Sequence, residues 1–186
     1  MEVAYKSRAR LHQSICGDGI FIHQTQEEAL IAVMDGVGHG PHAARAVQEA
    51  QSFLHAHLDK PLVELLKACD QAIIKTVGIS VALLHIQQFG GQMRHAAVGN
   101  VEVICLTRPE LQPHSIPGIV GGRYRKAIER QFSLQKGDIL LAHTDGIRRD
   151  VTSVPYRDLE PQDIAEIAIE EYGKEQDDAT CLVIRY

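Results

Sequence analysis

The stretch Ala29 to Ala46, ALIAVMDGVGHGPHAARA, constrains the chain more than any other. Its first six residues, Ala29 to Met34, form a continuous apolar run, the pattern of a strand buried on both faces. The run ends on Asp35-Gly36, a carboxylate beside a residue that accepts any backbone shape. A glycine-rich turn holding His39 follows, and Pro41 opens a helix at the position its fixed φ suits. Asp-Gly after a strand is ordinarily a hairpin turn. Here the chain goes on into a helix rather than a return strand. A buried strand that delivers one carboxylate to a glycine-lined opening is a common way to hold a hard metal ion.

The remaining chain is able to bury such a strand. With 186 residues it is long enough for one domain with a real core, and 45% hydrophobic and 23% charged residues are ordinary for a globular protein. The net charge of -5 disfavours non-specific nucleic-acid binding. No apolar run approaches the roughly 20 residues that span a bilayer. The opening MEVAYKSRARLHQS lacks the apolar core of a secretory signal. Cys16, Cys69, Cys105 and Cys181 lie far apart with no CxxC pair. They read as reduced and mostly buried cysteines of a cytoplasmic protein rather than as a zinc site.

Apolar spacing predicts a helix from Pro41 to about Leu58, then a second one, N-capped by Asp59, running to about Thr76. A third is predicted over Pro161 to Tyr172. Strands are predicted at Val3 to Arg10, Ile20 to His23, Ala29 to Met34, Ile79 to Ile86 and Met93 to Val98. Four more are predicted at Val101 to Leu106, Ala127 to Leu134, Ile139 to His143 and Ala179 to Ile184. Gly17-Asp18-Gly19 reads as a tight turn. Strands, two helices, a run of strands, one helix and one strand is not the alternation of a parallel sheet. It predicts an α+β layered fold, antiparallel sheets with helices packed outside. No tandem repeat or linker interrupts it, so a single domain over residues 1–186 is expected.

Four acidic sites share one local grammar. Asp18 lies between two glycines, Asp35 and Asp145 each close an apolar strand and precede glycine, and Asp177-Asp178 opens the last strand. Singly, each reads as a turn or cap residue. As a set they are carboxylates gathered at strand ends. Magnesium and manganese favour oxygen ligands in octahedral geometry. Two such ions sharing a carboxylate can clamp a phosphate and activate a bridging water. His39 and His42 could pair as ligands at a helix start, but no third ligand is evident.

Gly17-Asp18, AVMDGVGHG from Ala32, GISVALLHI from Gly78, AAVGN from Ala96, GDILLAHTDGI from Gly137 and DDAT from Asp177 occur in this order along nearly the whole chain. With that ordered set the chain resembles the metal-dependent (PPM, type 2C) serine/threonine protein phosphatases. Within them it is similar to the SpoIIE-like branch and to the small stand-alone stressosome phosphatases of the RsbX type. The resemblance implies a four-layer αββα sandwich, two antiparallel sheets flanked by helices, with two divalent ions, Mn²⁺ or Mg²⁺, at one edge. It implies metal ligation by Asp18, Asp35, the Gly36 carbonyl, Asp145 and Asp177, with Asp35 bridging and Asp178 acting as ligand or support. It implies hydrolysis of phosphoserine or phosphothreonine by in-line attack of a metal-bridging hydroxide, without a phosphoenzyme. The implied substrate and partner is a phosphorylated STAS-domain protein of a stressosome, or alternatively an anti-anti-sigma factor. A cytoplasmic monomer with no nucleic-acid or membrane partner is expected.

The chain departs from the pattern in two places. Many eukaryotic relatives carry an arginine near the first acid and a histidine directly after the Asp-Gly. Here Ser14-Ile15-Cys16 precedes Gly17, and Val37 follows Gly36. His39, two residues further on, is either the general acid or a turn and helix-cap residue. Arg148 and Arg149 either bind the phosphoprotein substrate or form a solvated basic loop. The same alternatives hold for Arg123, Tyr124, Arg125 and Lys126. A catalytically inactive phosphatase fold serving as a binding module is the competing class of function, and the acids kept at all four sites argue against it. A two-metal nuclease fits neither the negative charge nor the lack of an aromatic, basic surface.

Overall fold

The computed structural model describes residues 1–124 and 126–186. In chain order the elements are β1 (Glu2–Arg8), β2 (Asp18–Gln24), β3 (Glu28–Gly36), α1 (Gly40–His55), α2 (Leu62–Ala72) and β4 (Ile79–Gln87). They continue with β5 (Gln92–Val98), β6 (Glu102–Cys105), β7 (Arg130–Ser133), β8 (Ile139–His143), a 3₁₀ turn (Arg149–Ser153), α3 (Pro161–Tyr172) and β9 (Ala179–Arg185). One sheet runs β1-β9-β8-β6 and the other β2-β3-β4-β5-β7. Every strand pair is antiparallel.

The apolar run of β3 shows how the layers form. Successive side chains on a strand face opposite ways. Leu30, Ala32 and Met34 pack beneath α1 and α2 with Val47, Leu54 and Leu65. Ala29, Ile31 and Val33 pack between the two sheets with Leu140, Ala142 and Leu182. On the far side of the second sheet, Leu141, Cys181 and Val183 meet Ile164, Ala168 and Ile169 of α3. Both sheets are therefore covered on both faces, which is why β3, β4, β8 and β9 read as continuous rather than alternating apolar runs. The layers are α1 and α2, the five-stranded sheet, the four-stranded sheet, and α3, the expected αββα sandwich. Each fully buried aliphatic side chain in it contributes about 1.5–3 kcal/mol.

Several local expectations are corrected. Asp18 and Gly19 are not a tight turn but the first residues of β2, because pairing with β3 overrides the local glycine signal. Gly19 is needed for space: a Cβ there would lie 2.4 Å from Val47 Cγ1 of α1. Gly36 plays the same part, since its Cβ would meet the Ala43 carbonyl oxygen at 2.5 Å. These glycines let α1 settle onto the strand ends. Asp59 caps no helix; Pro61 occupies the N-cap of α2, and its carbonyl accepts the Leu65 N–H. That helix stops at Ala72, and Thr76 turns back to hydrogen-bond the Ile73 carbonyl. Of residues 127–134 only Arg130–Ser133 pair as a strand. Cys69, Cys105 and Cys181 are buried and Cys16 half-buried, all as free thiols.

Candidate active site

The acids converge because of strand register. β2 and β3 pair so that Asp18 stands directly opposite Asp35. The Gly36 N–H donates to the Gly17 carbonyl just beyond, closing the ladder at this edge. In the other sheet, β8 and β9 are in register so that the Thr144 N–H reaches the Thr180 carbonyl. That places Asp145, after β8, beside Asp177 and Asp178, before β9. The two sheets therefore present their acid-bearing ends at one edge of the sandwich. A cavity of about 740 Å³ opens there, lined by Asp35, His39, Asn100, Asp145, Asp177 and Arg10 among others.

Hydrogen bonds orient Asp18, Asp145, Asp177 and Asp178. The Thr144 hydroxyl donates to Asp18 Oδ2 at 2.7 Å and accepts the Thr180 N–H at 3.0 Å, tying the first acid to both strands of the opposite sheet. Asn100 Nδ2 donates to Asp145 Oδ2 at 2.7 Å, and the Lys174 ammonium donates to the Asp145 carbonyl. Asp178 is buried, and both its oxygens are occupied by the N–H groups of Arg10 and Gly17, at 2.9 and 2.8 Å. It clips the segment before β2 onto the start of β9. Its own N–H donates to Asp177 Oδ1.

The electrostatics are uncompensated. Burial, and then the facing Asp35 charge, push the Asp18 carboxyl up to about 8, against the help of Thr144. Burial and the Asp145 charge push Asp35 up to about 7. Asp177 is raised by burial and by Asp145. Among the described residues no three Asp, Glu, His or Cys side chains form a ready metal cage. The carboxylates repel one another, while Thr144 holds Asp18 and Asn100 holds Asp145. The donor set nevertheless fits hard divalent cations: it is all oxygen, Asp35, Asp145 and Asp177 line one opening with Asp18 opposite Asp35, and neighbouring acids raise Asp18, Asp35 and Asp177, a repulsion that positive charge relieves. Buried Gly36 follows Asp35 at this strand end.

His39 stands at the N-cap of α1 with its Nδ1 3.1 Å from Gln13 Nε2, on the same cavity as Asp35. Arg148 and Arg149 line an adjoining groove instead, which shares Gly99, Asn100 and Asp145 with the first cavity. Arg148 lies over the Tyr172 ring and pairs with Asp150 at 3.2 Å. Arg149 is 90% exposed and 3.7 Å from Glu102. His42, on α1, lines neither cavity. Arg123 is exposed and Tyr124 packs partly against the α1–α2 core; Arg125 lies outside the described residues. Sequence reasoning passed over Asn100, Thr144, Lys174 and Arg10. Asn100 and Thr144 lie inside the motifs AAVGN and GDILLAHTDGI, so a signal exists. Lys174 and Arg10 carried none, because only tertiary contact brings them to the acids.

Comparison with known proteins bears on this geometry. The family model described as Stage II sporulation protein E (SpoIIE) matches residues 25–186. The phosphoserine phosphatase RsbX of Bacillus subtilis (strain 168) is 28% identical over 138 residues, covering 73% of this chain and 69% of that protein. A solved chain of the bacterial stressosome, described as a modular system adapted to control secondary messenger signaling, is 31% identical with TM-score 0.91. The match covers 99% of this chain and 98% of that one. A crystal structure of RsbX in complex with magnesium matches with TM-score 0.86 at 23% identity, over 97% of this chain and 92% of that one, and so speaks for the fold.

Proposed function

The chain belongs to the SpoIIE family of PPM-type phosphatase domains, and we propose that it removes phosphate from phosphoserine or phosphothreonine of a stressosome STAS-domain protein. The observation that carries the reading is the meeting of Asp18, Asp35, Asp145 and Asp177 at one edge of the sandwich. Serine/threonine phosphatase activity with divalent-metal dependence agrees with the family. A stressosome substrate agrees with what the similar proteins are described as.

In this reading Asp18, Asp35, Asp145 and Asp177, with the Gly36 carbonyl, hold two ions, Mn²⁺ or Mg²⁺, and Asp178 supports the site from below. Such ions supply charge neutralisation on the phosphoryl oxygens and acidify water for attack. The chain does the rest. Thr144 and Asn100 fix the rotamers of Asp18 and Asp145, so the carboxylates need not reorganise during reaction. His39, facing the same cavity, delivers a proton to the leaving seryl or threonyl oxygen. Arg148 and Arg149 meet the phosphoprotein from the adjoining groove. No helix among the described residues is long and apolar enough to cross a membrane. A cytoplasmic monomer, one domain over residues 1–186, without nucleic-acid or membrane partners, completes the proposal.

The test is phosphate release from a phosphoserine STAS-domain protein with Mn²⁺, with Mg²⁺ and with chelator, alongside folded Asp35→Asn and Asp145→Asn variants. Metal-dependent release lost in both variants supports the reading. No turnover with either ion, together with tight binding of the unphosphorylated partner, replaces it with the binding-module reading.

A further inference from the structure

The four-stranded sheet ends in an open edge beside the candidate active site. In that sheet, among the described residues, β6 pairs only with β8. The Leu106 N–H donates to the Ile139 carbonyl, while Thr144 and Tyr186 bond across the other side of β8 to and from β9. The parity is consistent: even-numbered residues of β6 bond to β8, and odd-numbered ones face away. Val103 and Cys105 thus turn their backbone N–H and C=O groups to the outer edge. Among the described residues no backbone hydrogen bond reaches them there. Their side chains are buried between the sheets, so this edge is held rigid.

That edge does not face open solvent. It lines a groove of about 950 Å³, whose other lining includes Pro109, residues 111–115, Arg148, Arg149 and Lys174. Gly99, Asn100 and Asp145 belong to this groove and to the acid-lined cavity alike, so the two are continuous. A four-residue strand is about 14 Å long, enough for a short extended segment. Three cationic side chains, Arg148, Arg149 and Lys174, and two acids, Glu102 and Asp145, line the groove, so its lining carries more cations than acids, the reverse of the cavity. Arg148 also meets Asp150 and Arg149 meets Glu102, both as solvent-exposed pairs that an incoming acid can compete with. An exposed strand edge offers main-chain bonds for affinity, and the charges beside it select what is bound.

We propose that β6 takes up an extended acidic segment of the phosphoprotein substrate as a fifth strand of this sheet. The segment flanks the phosphorylated residue. Its main chain bonds to Val103 and Cys105, its acidic side chains face Arg148, Arg149 and Lys174, and its phosphate passes Asn100 to reach the acid cluster. This rests on the phosphatase reading for the direction of the segment, while the groove itself stands on the sheet edge.

Binding and turnover are measured separately. A fluorescent, unphosphorylated peptide with aspartates at alternate positions is titrated against the metal-free protein by anisotropy. The comparison peptides carry asparagine for aspartate, or N-methyl groups on alternate amides. The expected result is saturable binding, weakened about tenfold by either peptide change and by Arg149→Glu. Arg149 is almost fully exposed, so its substitution leaves the fold intact. Absence of binding, or equal binding of all three peptides, overturns the proposal. So does a dimer through β6 that excludes the peptide, read by sedimentation. Hydrolysis of a small aryl phosphate with Mn²⁺ is followed in parallel. Turnover there without peptide selectivity removes the groove and keeps the phosphatase; peptide selectivity without turnover keeps the groove and removes the phosphatase.

Discussion

β8 carries an acid at each end, and the two live in opposite conditions. Asp138, just before the strand, is 4% exposed and fully paired. It accepts hydrogen bonds from Arg108 Nε and Nη2, the Thr107 hydroxyl at 3.1 Å and the Gln135 N–H at 2.7 Å. Asp145, just after the strand, is exposed; its carboxylate receives Asn100, and its charge raises Asp35 and Asp177. One end of the strand spends its carboxylate on structure, locking β8 to the segments before and after β7. The other leaves carboxylates short of positive charge. A protein gains nothing in stability from crowding acids at an edge. That arrangement is explained by what the edge has to bind.

The contrast is most sharply tested by removing each acid in turn. Asp145→Asn is expected to lower turnover roughly a thousandfold, about 4 kcal/mol, because charge at the reacting phosphate is no longer balanced. The metal-free variant is expected to melt no lower than the parent, since a repelling charge is gone. Phosphate release and calorimetry check both; a variant that melts much lower would make Asp145 a structural acid like Asp138. Asp138→Ala is expected to cost about 3 kcal/mol in chemical denaturation by leaving Arg108 without its partner, with turnover of the folded fraction kept. Full stability in that variant would erase the distinction from the other side.

His95 supplies a third case, an ionisable group with neither partner nor opening. It is buried on β5 with both ring nitrogens unbonded among the described residues. Burial, then Arg130 and His114, lower its pKa to about 4. The folded state therefore binds fewer protons than the unfolded chain between the ordinary value of 6.5 and about 4. Stability from this group is fully present above 6.5 and is lost as pH falls toward 4, a total of about 3 kcal/mol. His95→Leu is expected to flatten that part of the pH profile of denaturant midpoints; an unchanged slope would exclude His95 as its source. The smallest effect is expected at Asn100, which acts through Asp145. Asn100→Ala should cost 10- to 100-fold, about 1.4–2.7 kcal/mol. It should do so by raising the Mn²⁺ concentration needed for half-maximal activity. A loss that excess metal does not repair would give Asn100 a part at the substrate rather than at the ligand.

Much of this architecture was legible along the chain. The apolar runs of β3, β4, β8 and β9 are buried on both faces, and the spacing in α1 and α3 reports their sheet-facing sides. Those signals depend only on local periodicity, and they led to the layered fold and, with the ordered motifs, to the family. The structure departs from these readings where a distant partner, or a competing neighbour, outweighs a local preference. Gly17-Asp18-Gly19 carries turn chemistry, yet pairing with β3 makes Asp18 a strand residue and sets it opposite Asp35. Asp59 carries cap chemistry, yet Pro61 starts α2.

What the sequence by itself determined is the set of elements and the presence of acids at their ends, because hydrophobic period and strand-terminal glycines are written residue by residue. What only the tertiary structure decided is how those acids differ. Asp178 is consumed by the N–H groups of Arg10 and Gly17, Asp138 by Arg108, while Asp18, Asp35, Asp145 and Asp177 share one edge. Their partners come from more than a hundred positions away in two of these cases, Thr144 for Asp18 and Arg10 for Asp178. Charge balance, burial and the open edge of β6 are sums over neighbours in space, and no stretch of sequence contains those neighbours together.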